Sequence, residues 1–422
     1  MNIKPLPLLL FTTVLMSSSA LKIALHPVQA TPHIQSVPAA TSTPSETINS
    51  ELTRSPSLIA QAPPDIIRQG DSGNQAGVIS EIATTYSGFG NRNLRTITAV
   101  RTDDNRLKLI SWQVNGDGSM TRTGDSGNQA GEALKIDISG DGIWRDGKLV
   151  TAIRTTNGAL KLISWQRDEV GNITRLGDSG NQSGDISMVK IDEVHPDIYV
   201  TAIRTAQGRL KLITWRLNSD GSLTRLSDSG NLAGDVSEIA LHGSDWREPQ
   251  TITTAVRDSQ GKLKLITWGV SENGKITRLR DSGDQVGEAR MIQLVGATED
   301  YMVTSLRTAS GQLKLITWDR DLNRVSDSSN QAGGNNPNGL NALMPHPHND
   351  TVVSAVRTNN GRLKLINWYV TSSGQLVRAN DSGNAAGEAS LIALEGHAGV
   401  ETPIVTAIRT QENRLKLITW DD

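Results

Sequence analysis

Cysteine is absent from the 422 residues. Disulfides, thiolate metal sites and a cysteine nucleophile are therefore excluded together. An excess of one charge is also lacking: 42 Lys and Arg stand against 44 Asp and Glu, a formal charge of −2. Without a basic surplus there is no bulk electrostatic drive toward nucleic acid or an anionic membrane. Aromatic residues are scarce at 4%, and no DxDxDG, HExxH or GxSxG motif occurs. What is plentiful is glycine, 39 residues, the profile of a chain rich in turns.

The first thirty residues read as a targeting signal. Lys4 gives a positive start, Pro5 to Met16 is apolar, and Val28-Gln29-Ala30 offers a small-residue cleavage site, with a second after Ser18-Ser19-Ala20. The apolar run is too short to span a bilayer, and no other run is longer, so no transmembrane segment is expected. Residues 31–64 are rich in Ser, Thr, Pro and Ala and cannot bury enough surface to offset their ordering entropy, which predicts a flexible spacer. The mature protein is expected outside the cytoplasm, secreted, periplasmic or at the cell surface, as a monomer.

From residue 65 to 422 the chain repeats one unit seven times. LKLISW, LKLITW or LKLINW ends at Trp112, Trp165, Trp215, Trp268, Trp318, Trp368 and Trp420. A DSGN-like phrase begins at Asp71, Asp125, Asp178, Asp228, Asp281, Asp327 and Asp381. Each unit holds four short β-type runs, with turn pairs such as Asn157-Gly158 between the second and third. Four antiparallel strands per unit, seven times, predict an all-β, seven-bladed β-propeller. The last unit stops after its third run, and its missing strand stands at the other end, in residues 66–73. The N-terminal strand is therefore expected to complete blade 7 and close the ring.

With a two-residue turn at Asn157-Gly158, Arg154 falls opposite Lys161. With another at Asn273-Gly274, Arg278 falls opposite Gly269 and Asp281 opposite Ile266. Two cations facing each other call for an anion between them. Arg154, Lys161 and Asp178 are thus expected to form one of seven repeated clusters, either blade-stapling ion networks or anion sites.

The units differ most in the loops between strands 1 and 2. There or at their edges stand Tyr86, Phe89, Trp144, Tyr199, Trp246 and Tyr301, the histidines His195, His242, His346, His348 and His397, and acids including Asp197. Variable loops on a rigid frame are where binding usually resides, and aromatics beside carboxylates suit sugar rings. Tyr86, Trp144, His195, Asp197, Trp246 and Tyr301 are the candidate ligand residues. His346-Pro347-His348 lacks a third ligand, so no metal or other cofactor is expected, and the many loop acids single out no catalytic pair.

The stretch NGALKLISWQRDEVGNITRL (157–176) resembles the repeats of bacterial and fungal sugar-binding propellers such as the fucose-specific lectins. The resemblance implies pockets between blades built from an arginine, an acid and an aromatic, which map onto Arg154, Asp178 and Trp165. LKLITW is more apolar than the lectin pattern, and the acid stands in a different motif. Residue pattern and resemblance lead to one expectation, an exported non-catalytic module that binds glycans of a cell surface or matrix. An exported polysaccharide-active hydrolase or lyase, and a protein-interaction scaffold, are the alternatives.

Overall fold

The structure, a computed structural model, describes residues 66–421 apart from 90–91, 141–145, 183, 231, 244–249, 330–338, 346–349, 384 and 396–402. The predicted signal and spacer lie outside the described residues. Every regular element among those described is a β-strand, and the strands form seven four-stranded antiparallel sheets. Six sheets take consecutive strands. The seventh pairs Ile67–Asp71 with Leu415–Asp421, which continues through Ile404–Arg409 to Leu391–Glu395. The inner strands follow one another around a closed circle, the seventh lying beside the first. This is a seven-bladed β-propeller, sealed by its N-terminal strand.

The alternating pattern of each strand explains how blades stack. In blade 2, Leu149, Ile153, Ile163 and Trp165 lie on one face and pack with Ile97, Leu107 and Leu109 of blade 1. Val150, Ala152, Leu160 and Leu162 lie on the other and pack with Ile203, Ile213 and Trp215 of blade 3. All seven repeated tryptophans are 0% exposed. Each donates its Nε1–H to a strand-2 hydroxyl, Trp112 to Thr98 and so on around the ring to Trp420 and Thr406, at 2.9 to 3.1 Å. An indole buried this deeply needs such a partner.

The DSGN serine has an equally local cause. At the end of strand 4 its N–H donates to the strand-3 leucine carbonyl, as Ser179 does to Leu162. Its hydroxyl accepts the same leucine's N–H at 2.9 to 3.0 Å in all seven blades. A side chain thus finishes the ladder where the backbone turns away.

The expected register needs correction. Arg154 lies opposite Leu160, and Lys161 opposite Ile153. Thr155 N–H donates to Ala159 and Gly158 N–H to Thr155, so the loop has three residues, with Gly158 at φ +88°. Asn-Gly fits this loop as well as a two-residue one, and the one-residue difference sends Arg154 and Lys161 to opposite faces. Asn105 and Asn413, both at φ +60°, take the glycine's place in blades 1 and 7.

The 3–4 hairpin is corrected in the same way. Arg278 lies opposite Trp268 rather than Gly269, but a bulge after Thr267 restores Asp281 to Ile266. The bulge brings residues three apart onto one face. That is why strand-4 arginine and DSGN aspartate meet in every blade, from Arg68–Asp71 to Arg378–Asp381.

Candidate functional site

The expected Arg154–Lys161–Asp178 cluster separates into two arrangements. Asp178 takes Lys161 at 3.1 Å and the neighbouring guanidinium of Arg175, while its Oδ1 accepts Gly180 N–H. Arg175 also donates to Gln129 O of blade 1 at 2.8 Å. Arg154 points the other way, to Ile186 O and Asp185 of blade 3. Trp165, fully buried, opens onto neither. The three residues that the lectin resemblance groups into one pocket do not come together. Both arrangements instead tie one blade to the next.

Burial pushes the carboxyls of Asp71, Asp125, Asp178, Asp327 and Asp381 up, but the backbone N–H two residues on and the adjacent cations outweigh it. All five are held below the usual 3.8. A depressed folded pKa contributes stability that is complete above the unfolded value and is lost as pH falls through the folded one. Melting temperature should therefore hold level from neutral pH to about pH 4 and drop below it. Asp178→Ala should cost about 1–3 kcal/mol, since Lys161 and Arg175 lose a charged acceptor while staying partly solvated. Urea denaturation of the variant checks this.

On the variable face, Trp144 and Trp246 lie outside the described residues. Those that are described turn inward. Tyr86 is 4% exposed, and its hydroxyl donates to Pro403 O at 3.3 Å. His195 is buried with Nε2 at 2.9 Å from Val270 O. Asp197, at φ +63°, forms the turn beside it, its N–H donating to Glu193 Oε1. Tyr301 is half-buried against Gly374 and donates to Ser372 O. Tyr86, His195 and Tyr301 each join their own blade to another, and their bonds do not converge on one cavity.

A cavity does open on the opposite, DSGN face. It lies between the Ala76–Ile79 connection from blade 7 and the 2–3 turn of blade 1, with a volume of about 270 Å³. Its polar lining includes Thr102, Asp103, Asp104, Lys108, Arg122 and Asn128. Asp104 is taken by the Thr102 hydroxyl and by Arg106 at 3.3 Å, and Arg122 by Asp125 and Gln75 O. The lining thus offers hydroxyl and ammonium groups from strands and carboxylate and amide groups from the adjoining turns. The sequence hinted at this cleft, because the blade 1 turn alone carries two adjacent acids, Asp103 and Asp104.

No protein-family model and no curated protein sequence matches the chain. Among solved structures, Saccharomyces cerevisiae Sqt1 is similar at 14% identity and a TM-score of 0.48, over 85% of this chain and 100% of that one. The strand order itself establishes the propeller. A ring of this kind fits a binding or scaffold role.

Proposed function

We propose that the protein is an exported, non-catalytic carbohydrate-binding module whose ligand enters the cleft between blades 7 and 1. The observation that carries this reading is the lining of that cleft. Sugar hydroxyls both donate and accept, so they are recognised by fixed carboxylate, amide and cationic side chains held in a concave site. Asp103, Asn128 and Lys108 supply these three kinds of group, and the cleft is of a size for one sugar ring. Export rests on the apolar N-terminal stretch and its cleavage signal.

A glycan array probed with residues 31–422 tests the proposal. Binding should survive Trp144→Ala and Trp246→Ala and fall at least tenfold in Asp103→Ala and Asn128→Ala. A silent array overturns the reading. Loss in the two tryptophan variants alone moves the ligand to the variable face.

A further inference from the structure

We infer that the cleft between blades 7 and 1 is a single site per ring for a sugar acid, a uronate whose carboxylate rests on Lys108. The inference builds on the glycan reading of the same cleft and narrows it to a ligand class and a stoichiometry.

Its basis is a difference between seven near-identical junctions. After the DSGN loop, the connection into the next blade carries an acid at five of them: Glu132, Asp185, Asp235, Glu288 and Glu388. Those acids lie at the blade boundary, where Asp185 pairs with Arg154 and Glu288 with Arg257. At the 7/1 junction the residue is Val78, which bridges to Arg414 in the register of Asp185 with Ala159. Arg409, the blade 7 counterpart of Arg154, donates to Ser390 of its own blade, as Arg101, Arg204 and Arg257 do to their own serines.

The repeated lysine shows the second half of the difference. In blades 2, 5, 6 and 7 it lies 3.0 to 3.5 Å from the DSGN aspartate. Lys108 of blade 1 forms no hydrogen bond or ion pair among the described residues, and it acts on Asp125 only through space. Lys211 and Lys264 likewise form no ion pair among the described residues, but their junctions keep Asp185 and Asp235, respectively. The 7/1 junction alone, among the described residues, combines an unpaired lysine with the loss of the boundary acid. It is also where the cleft lies, with Lys108 and Val78 both in its wall.

A partly buried ammonium that no carboxylate among the described residues contacts directly leaves its hydrogen-bond donors open to a bound anion. A simple anion would also meet Asp103 on the rim, whose carboxylate accepts the Asp104 N–H and pairs with no cation among the described residues. A uronate resolves that conflict within one ring. Its carboxylate lies on Lys108, its hydroxyls donate to Asp103, and the Asn128 amide donates to a remaining ring oxygen. Asp104, already held by Thr102 and Arg106, is not needed.

The test is titration of residues 31–422 with sodium galacturonate and sodium glucuronate, against galactose and glucose, followed by NMR and calorimetry. One uronate should bind per chain, and the neutral sugars should bind at least tenfold more weakly. Lys108→Ala and Val78→Glu should each weaken uronate binding at least tenfold, while Lys211→Ala leaves it unchanged. Val78→Glu restores the residue of other junctions, so it keeps the fold. Failure of both uronates to bind, more than one uronate per chain, or undiminished binding in Lys108→Ala overturns the inference. Array binding of neutral glycans without uronate binding overturns it alone. Uronate binding at this cleft with a silent array overturns the glycan-module reading instead.

Discussion

Removal of residues 1–75 should destabilise the whole ring by about 5 kcal/mol or more, a large part of the stability of an ordinary domain. The strand Ile67–Asp71 is the outer strand of blade 7, and without it Leu415–Asp421 becomes an open edge. Three contributions disappear together. Burial of the Ile66 side chain, 3% exposed, is worth about 1.5–3 kcal/mol. The bond from Leu417 N–H to the Ser72 hydroxyl is exchanged for one to water, a net loss of about 0.5–1.5 kcal/mol. Asp71, which Lys416 meets at 3.0 Å and Arg68 also holds, goes with them. Removal of residues 1–60 leaves each of these contacts in place and should not change stability. Thermal melting of the two truncations side by side decides the matter, and equal melting temperatures would contradict closure by this strand.

Blade number, strand order and closure were legible in the sequence because they depend on spacing, and spacing repeats seven times. Register was not, for a local reason. Asn157-Gly158 is compatible with two- and three-residue loops, and the structure uses the longer one, with Gly158 in the left-handed region. A bulge beside each tryptophan then cancels the slip, so Asp281 reached Ile266 by a route the pattern does not display. The partner of Arg154 was within reach: an acid recurs seven residues after the DSGN aspartate in five units. That phase was masked by the more prominent DSGN phrase. The packing of the loop-edge tyrosines was hidden for another reason. Tyr86 and Tyr301 stand in strands at the edges of variable loops, yet each meets the neighbouring blade, and one blade's sequence cannot show what the next presses against it. The cleft depended on a single departure from the repeat, Val78, which matters only once its place beside Lys108 is known.

Trp165→Ala should be among the most damaging single substitutions in the ring, at about 3–5 kcal/mol. The indole is fully buried between blades 1 and 2, in one cluster with Ile97, Leu107 and Leu109 on one side and Ile163 and Ile173 on the other. Truncation leaves a cavity where two rigid sheets meet, and closed blades have little room to collapse into it. The polar end of the ring is separable from the apolar body. Trp165→Phe keeps most of the packing but removes the Nε1–H that Thr151 accepts at 3.0 Å, so about 1 kcal/mol plus a smaller packing loss is expected. Thr151→Val leaves that N–H buried without an acceptor, which costs about 1–3 kcal/mol. Combining the two replaces both partners with apolar groups, so the double variant should be more stable than the sum of the single losses predicts. Urea denaturation of the four variants gives the cycle. A loss below about 1 kcal/mol in Trp165→Ala would mean that the repeated tryptophan is not what holds neighbouring blades together.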